Sequence, residues 1–355
     1  MYVVSKMDLE LLKSKFRGTM LGVLVGDILG SPYEGKKVIS ARKKIYLQRR
    51  LDMLEGTKFR EPVMEFTDDS AMTRSLAESL IEKRDLDIID VAKRFVESYY
   101  QEPHRGYGTG TITVLKKLRK LKNKKIEPGI DVKDPAKAIF DGRGSYGNGG
   151  AMRIAPVSLF SYNNYDNLLH YVREVTQITH ANELGINGAI LQAIAIQQSL
   201  CLYPSEELNI SNFIDDLINK MDKIEVGESQ PYKERLKIVK NLLSENGGEP
   251  NEQRIVKELG ANVRALESVP TAIFCFLKAQ KRIKRVRTNN PVRRAIQYAI
   301  TLGGDTDTIA SMTGAIAGAL HGYEKFSRLL LSHCEQADRF EELADELLDV
   351  AISKS

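Results

Sequence analysis

The sequence predicts an all-α protein, a compact multi-helix bundle. Apolar residues recur three and four positions apart through most of the chain, as in residues 70–83, 185–200 and 341–352. Runs with the two-residue alternation typical of strands are few. We therefore expect helices to form the whole core.

Two segments are apolar on every side and are expected at the centre of the bundle: GTMLGVLVGDILG at 18–30 and IASMTGAIAGAL at 309–320. Both are shorter than the roughly 20 residues that span a membrane. Four glycines of the first segment recur every four residues, namely Gly18, Gly22, Gly26 and Gly30. They line one ridge of a helix, where another backbone can come close. A strand and loop is the alternative, because each glycine costs a helix about 1 kcal/mol relative to alanine, but the spacing of four favours the helix.

The composition predicts one ordinary globular domain. With 355 residues, 42% of them hydrophobic, the chain can bury a full core. We find no composition break and no repeat of fixed period, so we predict a single domain over residues 1–355. Residues from about 219 to 260 are charged and interrupted by turn-forming residues, which predicts a peripheral helical insertion.

Charge and cysteine usage exclude several classes of protein. A net charge of +5 is too small to indicate a dedicated nucleic-acid binder, and no direct nucleic-acid readout is expected. We interpret the basic runs 36–44, 115–125 and 281–287 as solvated faces, with a polyanionic partner or a nuclear address at 281–287 as the alternative. The three cysteines are widely spaced and predict free thiols in a reducing compartment. The first residues do not resemble a secretory signal, so we expect an intracellular protein without a membrane partner.

Clusters of acidic and hydroxyl side chains lie next to three predicted helices. They occur in GDILGSPYEG, FTDDSAM and GGDTDT, and the candidate ligands are Glu34, Thr67, Asp68, Asp69, Asp305, Asp307 and Thr308. Each alone could be a helix N-cap, but a cap uses one residue and these motifs offer several oxygens. Crowded carboxylates repel one another unless a cation or shared protons intervene. Oxygen ligands without histidine or cysteine suit Mg²⁺ or Mn²⁺, so we predict a site for two metal ions.

A glycine-rich segment, GRGSYGNGGAMR at 142–153, predicts a loop whose N–H groups can surround an anion such as a diphosphate. It matches neither the P-loop nor the dinucleotide-binding pattern, and a plain surface loop is the alternative. RGYGTG at 105–110 is a second loop of this type, in which Tyr107 is expected to stack on a ligand ring. His180, in THANELG, is one of five histidines; a lone histidine is more often a packed or capping residue than a catalyst.

Taken in order, GDILGSPYEG, FTDDSAM, RGYGTG, GSYGNGGAMR, THANELG, ESVPTAIFCFL and GGDTDT resemble the ADP-ribosylglycohydrolase family. The resemblance covers residues from about 14 to 325. RGYGTG, GSYGNGGAMR and ESVPTAIFCFL are most similar to the eukaryotic branch that hydrolyses serine-linked ADP-ribose, poly(ADP-ribose) and O-acetyl-ADP-ribose. The resemblance implies a Mg²⁺-dependent glycosidase that acts on these substrates, with two Mg²⁺ in a central cleft of an all-α fold.

The resemblance also implies roles for individual residues. The metal ligands are Thr67, Asp68, Asp69, Asp305, Asp307 and Thr308, joined by Glu34 from a mobile loop, and Glu34, Asp305 and Asp307 are the catalytic candidates. The substrate-binding residues are Phe140, Arg143, Gly144, Ser145, Tyr146, Gly147, Asn148, His180 and Val263. Arg143 stands where similar members have lysine, which keeps the charge. GANV at 260–263 stands where similar members have a more glycine-rich turn beside the adenine, so at Val263 this sequence departs from their pattern.

Other functions remain alternatives at this stage. A hydrolase specific for arginine-linked ADP-ribose is the nearest, and a metal-dependent phosphohydrolase would need similar clusters of carboxylates. A non-catalytic protein that binds ADP-ribose is the third. We expect a monomer located in the nucleus and cytoplasm, with the mitochondrial matrix as a further compartment.

Overall fold

The computed structural model describes residues 8–35, 38–57, 60, 62–123, 131–244 and 251–354. Within these residues the regular structure consists of α-helices, two short 3-10 helices at Ser31–Tyr33 and Tyr323–Lys325, and two isolated β-bridges. The helices are α1 (Leu9–Gly30), α2 (Ala41–Leu54), α3 (Asp68–Lys83), α4 (Ile88–Gln101), α5 (Thr109–Asn123), α6 (Asp134–Lys137), α7 (Gly149–Met152), α8 (Ala155–Phe160), α9 (Tyr165–Gln177), α10 (Glu183–Leu200), α11 (Ile210–Ile224), α12 (Pro231–Ser244), α13 (Glu252–Leu259), α14 (Ala265–Lys278), α15 (Pro291–Thr301), α16 (Thr306–His321), α17 (Arg328–Leu331) and α18 (Ala337–Ser353). The all-α prediction is confirmed.

The two central helices, α1 and α16, pack along the predicted glycine ridge. A Cβ atom placed on Gly22 would lie 2.1 Å from the carbonyl oxygen of Gly314, and one placed on Gly318 would lie 1.9 Å from the carbonyl oxygen of Gly18. No side chain fits in that space, so the two backbones are in direct contact. The four-residue spacing of the glycines in α1 therefore marks a ridge where a second backbone comes close, as the sequence predicted.

Other helices cover this central pair on the remaining sides. Helices α10, α14, α15 and α18 all contact α1 or α16. Every residue of α16 from Thr306 to Leu320 is buried, and so is α1 from Phe16 to Gly30 apart from Arg17. This environment explains why both helices are apolar all round instead of on one stripe.

The packing of α1 on α16 also positions their ends. The hydroxyl of Thr306 donates to the carbonyl oxygen of Gly30 at 2.9 Å, which joins the C-terminal end of α1 to the N-terminal end of α16. Glu34 follows α1 by a few residues, and Asp305 directly precedes α16. Two of the acidic motifs are therefore brought to one place by the central helix pair.

The predicted insertion at 219–260 contains the end of α11, then α12 and α13, while residues 245–250 lie outside the described residues. Helix α12 packs on the main body, since Tyr232 is fully buried and its hydroxyl donates to the carbonyl oxygen of Leu184 at 2.5 Å. The single-domain organisation stays a prediction. Among the described helices, none is long and apolar enough to cross a membrane.

Candidate active site

A cleft with a volume of about 370 Å³ opens where α1, α3 and α16 meet the glycine-rich loop. Most of the residues predicted for the site line it: Glu34, Thr67, Asp68, Asp69, Phe140, Ser145, Gly147, Asn148, His180, Val263, Asp305, Asp307 and Thr308. Residues from six separate parts of the sequence thus meet in one cavity. The acidic motifs and the glycine-rich loop share this cleft.

The turn before α16 is built so that its carboxylates face the cleft. Gly303 and Gly304 have φ values of 73° and 77°, which side-chain-bearing residues rarely adopt. A Cβ atom on Gly304 would lie 1.7 Å from the carbonyl oxygen of Ala261, and that same oxygen accepts a hydrogen bond from the Asp305 N–H at 2.9 Å. The two glycines are therefore required for the close approach that fixes Asp305.

Three carboxylates form the closest acidic group. Glu34, Asp305 and Asp307 each place an oxygen within 4.8 Å of the other two. Asp305 and Asp307 are buried, whereas Glu34 is exposed at the edge of the cleft. The loop that carries Glu34 is attached to the same turn, because the Gly35 N–H donates to the carbonyl oxygen of Gly304 at 2.9 Å.

The start of α3 supplies the other oxygen atoms. Thr67 is the N-cap of α3, and Asp68 and Asp69 occupy its first turn. One oxygen of Asp69 accepts a hydrogen bond from the Thr308 hydroxyl at 3.3 Å, which links α3 to α16. The other oxygen, Oδ2, is buried and has no hydrogen-bond partner among the described residues. A buried carboxylate oxygen without a donor is one that a cation could satisfy.

Burial, and then the charges of neighbouring carboxylates, raises the pKa values of these carboxyl groups. Burial raises the pKa of Asp68 to about 8, with further contributions from the charges of Asp27 and Asp305. Burial, together with neighbouring carboxylates, raises the pKa of Asp69 and of Asp307 well above the usual value. Partial desolvation at the edge of the cleft also raises the pKa of Glu34, and the charge of Asp305 adds to it. A bound cation would reverse this penalty, and an all-oxygen donor set fits a hard cation such as Mg²⁺.

Asp27 supports this site, although the sequence analysis did not include it among the site residues. It is fully buried in α1, and its Oδ2 atom accepts hydrogen bonds from the Thr67 N–H at 3.0 Å, the Ser70 N–H at 3.1 Å and the Ser70 hydroxyl at 2.6 Å. This carboxylate therefore holds the first turn of α3 against α1. The available signal was a lone acidic residue inside the apolar segment 18–30, every residue of which is buried.

The glycine-rich segment forms the predicted loop up to Asn148, followed by the single helical turn α7. Phe140, Asp141, Gly142 and Gly144 have φ values between 53° and 78°, so the loop cannot be a regular helix. Asn148 is buried, and its side-chain amide donates to Asp305 Oδ2 at 2.5 Å. The loop is thereby attached directly to the acidic group.

His180 lies against this loop as a buried, neutral imidazole. A Cβ atom on Gly149 would lie 2.5 Å from the ring carbon Cε1 of His180, so only glycine leaves room for the ring. Burial and the nearby guanidinium of Arg153 lower the pKa of His180 to about 3. The side chain therefore carries no charge at neutral pH.

Comparison with known proteins agrees with this geometry. The model of the family described as ADP-ribosylglycohydrolase matches residues 8–355. The chain belongs to the ADP-ribosylglycohydrolase family. The resemblance seen in the sequence motifs is thus confirmed.

Individual members of the ADP-ribosylglycohydrolase family align over nearly the whole chain. The protein named ADP-ribosylhydrolase ARH3 from Mus musculus is 41% identical over 94% of this chain and 91% of its own length. The protein of the same name from Homo sapiens is 39% identical over 94% of this chain and 93% of its own length. A solved structure titled "ADP-ribosylglycohydrolase-related protein complex" has a TM-score of 0.66 and 21% identity, and the match covers 97% of this chain and 100% of that one. At that identity the solved structure shows the fold alone.

Three residues that the family resemblance assigned to substrate binding do not line the cleft here. The side chain of Arg143 is exposed and pairs with Asp141, and its Nε donates to the carbonyl oxygen of Phe140 at 3.2 Å. Tyr146 is half exposed, with the Arg264 guanidinium 5.7 Å from its ring centre. A Cβ atom placed on Gly144 would lie 2.9 Å from the backbone nitrogen of Asn182, so this glycine packs against that segment. Their roles in binding stay predictions.

The prediction for Tyr107 is wrong. Its ring is buried and packs edge-on against Tyr99 at a centroid distance of 5.1 Å, so it cannot stack on a ligand. The surrounding loop does reach the cleft, since Gly106 and Gly108 line it together with the start of α5. The glycines of RGYGTG were a correct signal for this wall of the cleft, whereas the aromatic residue between them belongs to the core.

Proposed function

We propose that the protein is an ADP-ribosylhydrolase that requires Mg²⁺ and cleaves the O-glycosidic bond at C1″ of serine-linked ADP-ribose. We propose poly(ADP-ribose) and O-acetyl-ADP-ribose as further substrates of the same cleft. The proposal is carried by one observation: the acidic group at Glu34, Asp305 and Asp307 and the glycine-rich loop line the same cleft. A substrate with a diphosphate beside a ribose needs both features next to each other.

Two Mg²⁺ ions would be held by the oxygen atoms of the acidic motifs, with Mn²⁺ as the alternative. The proposed ligands are Thr67, Asp68, Asp69, Asp305, Asp307 and Thr308, with Glu34 at the edge. The unpartnered buried oxygen of Asp69 and the raised pKa values of the cluster support a cation at this place. When bound, the ions would offset the negative charge of the cluster and orient the ribose hydroxyls of the substrate.

Acid and base catalysis would come from the carboxyl groups. Hydrolysis of a glycosidic bond needs one carboxylic acid that protonates the leaving oxygen and one carboxylate that accepts the proton of the attacking water. Glu34, Asp305 and Asp307 are the candidates, because they are mutually close and line the cleft. A serine alkoxide is a poor leaving group, so protonation by the acid contributes strongly to the rate.

The rest of the cleft would bind the remainder of ADP-ribose. The loop around Ser145 and Gly147 would offer hydrogen-bond donors to the diphosphate, among them the Ser145 hydroxyl, and the neutral His180 would add a polar ring atom. Phe140 and Val263 line the same cavity with exposed apolar surface, which is suited to the flat faces of the base and sugar. Binding at several points along the ligand would hold its C1″ atom near the carboxylates.

The alternatives predict different products or substrates. A phosphohydrolase would release AMP and ribose phosphate, and an arginine-specific enzyme would prefer the arginine linkage. A binding protein would hold ADP-ribose without turnover. The relatives named ADP-ribosylhydrolase favour removal of the intact ADP-ribosyl group over the phosphohydrolase and over the binding protein.

The test is a panel of substrates incubated with the protein and Mg²⁺, followed by mass spectrometry of the products. Serine-linked and arginine-linked ADP-ribosyl peptides, poly(ADP-ribose) and O-acetyl-ADP-ribose are compared at equal concentration. We expect intact ADP-ribose from every substrate except the arginine-linked peptide. Release of AMP, or preference for the arginine linkage, would replace the proposal with the corresponding alternative.

We further propose that the protein acts as a monomer in the nucleus and cytoplasm and has no membrane partner.

A further inference from the structure

Arg153 is a buried cation without a direct ion pair among the described residues. Its side chain is fully buried, and no carboxylate forms an ion pair with it among the described residues. Its Nη2 atom donates to the carbonyl oxygen of Val175 at 3.2 Å and to the Thr179 hydroxyl oxygen at 2.8 Å, and its guanidinium lies 4.7 Å from the ring centre of Phe95. Burial lowers the pKa of Arg153, and the charge of Asp68 offsets only part of this effect. A buried cation without an ion pair is expensive, so its position indicates a role besides packing.

The Thr179 hydroxyl connects this cation to His180. Its oxygen accepts the hydrogen bond from Arg153 and lies 2.8 Å from His180 Nδ1. In the described part of the chain, the hydroxyl proton has no hydrogen-bond acceptor other than His180 Nδ1. Because an arginine can only donate, the consistent arrangement is that Arg153 donates to the Thr179 oxygen and Thr179 donates to the ring nitrogen.

The consequence concerns the opposite ring nitrogen. A neutral imidazole that accepts at Nδ1 carries its proton on Nε2. The Nε2 atom is on the loop side of the ring, 3.4 Å from the Cβ position of Gly147, and His180 lines the cleft. We propose that Arg153 and Thr179 are positioning residues that hold His180 in the Nε2–H tautomer, so that a neutral N–H donor faces the ligand.

This arrangement brings the effect of a buried charge to the cleft without exposing the charge. Hydrogen bonds in a chain polarise one another, so donation from the guanidinium strengthens donation from the threonine and then from Nε2–H. The opposite tautomer would present a lone pair to the oxygen atoms of the ligand and repel them. That the ligand is ADP-ribose rests on the proposed function, whereas the tautomer is a property of the free protein.

The first test is the tautomer of His180 in the free protein, measured by long-range ¹H–¹⁵N NMR and assigned by comparison with His180→Gln. We expect the proton on Nε2. Thr179→Val keeps the branched shape and removes the hydroxyl, so Nδ1–H should become populated. Thr179→Ser is the matched control, and it should keep the wild-type tautomer because it keeps the hydroxyl.

The second test is calorimetric binding of ADP-ribose to the same proteins. We expect Thr179→Val to bind about tenfold more weakly and Thr179→Ser to bind as the wild type does. Circular dichroism melts verify that both variants are folded. A wild-type His180 with its proton on Nδ1, or a Thr179→Val variant with unchanged tautomer and affinity, would overturn the inference. Wild-type protein that does not bind ADP-ribose would instead contradict the proposed function, and the tautomer measurement would still stand.

Discussion

Asn148 donates a hydrogen bond from its side-chain amide to Asp305 Oδ2 at 2.5 Å, so the glycine-rich loop and the acidic group are one connected unit. The same amide also donates to the Ser268 hydroxyl at 3.0 Å. The two groups are 157 residues apart in sequence. Movement of the loop is therefore expected to change the position of a carboxylate that we assign to catalysis.

Replacing Asn148 with leucine should separate the loop from the acidic group. The leucine side chain would keep the volume and lose the donor to Asp305, so we expect turnover to fall by about tenfold to a hundredfold, as for other residues that orient metal ligands. Ser268→Ala is the matched control, since it removes the other partner and leaves the bond to Asp305 intact. Steady-state kinetics of both variants measures the effect. Equal turnover of Asn148→Leu and Ser268→Ala would contradict this prediction.

Asp27→Asn should weaken the site without a change in the cleft lining. In the wild type, Asp27 Oδ2 accepts three hydrogen bonds from the first turn of α3. Asparagine would put either an NH₂ group or an uncharged carbonyl oxygen at this position, so the turn loses its support. We expect Mg²⁺ affinity to fall by about tenfold to a hundredfold. Isothermal titration with Mg²⁺ measures it, with Asp166→Asn as the control because that aspartate is exposed in the first turn of α9. Equal Mg²⁺ affinity in the two variants would mean that Asp27 does not support the site.

Gly22→Ala should strongly destabilise the fold. The added methyl group would lie 2.1 Å from the carbonyl oxygen of Gly314, so α1 and α16 would have to move apart. We expect the free energy of unfolding to fall by about 3 kcal/mol or more, measured by urea denaturation. Gly108→Ala is the control, because nothing lies within 4 Å of its Cβ position and the change should stay within about 0.5 kcal/mol. A Gly22→Ala protein as stable as this control would show that the ridge contact is not close.

The metal-free protein should lose stability as the pH rises from about 6 to about 8. Folded Asp68 has a pKa of about 8, whereas an unfolded aspartate has a pKa of about 4. Between these values the folded state binds more protons than the unfolded state, so the free energy of unfolding falls as the pH rises. Mg²⁺ should therefore raise the melting temperature more at pH 8 than at pH 6. Melting curves in EDTA and in Mg²⁺ at both pH values test this, and an equal Mg²⁺ effect at the two values would contradict it.

The sequence predicted the central features because they depend on spacing along the chain. Gly18 to Gly30 recur at the period of a helix, and the contact with Gly314 and Gly318 follows from that period. The acidic motifs were recognised because several oxygens stand together in TDDS and DTDT, and Asp305 and Asp307 do meet Glu34. A local pattern was sufficient in both cases.

The remaining features depend on contacts between distant segments, which one sequence does not display. Asp27 is an isolated acidic residue in the buried part of α1, and its partners Thr67 and Ser70 are 40 and 43 residues away. Tyr107 was assigned to the ligand from its flanking glycines, but its burial depends on Tyr99 in α4. The bond from Asn148 to Asp305 likewise depends on how the loop folds against α16.

The proposed Mg²⁺-dependent hydrolysis is tested most directly by the release of free ADP-ribose from a serine-linked ADP-ribosyl peptide. Release is followed over time with Mg²⁺, with EDTA and with the Asp305→Asn variant. We expect release with Mg²⁺ and no release in EDTA until Mg²⁺ is added back. The folded Asp305→Asn variant should release little ADP-ribose. Release that continues at the same rate in EDTA, or in Asp305→Asn with Mg²⁺, would contradict the proposal that catalysis depends on this acidic group and on Mg²⁺.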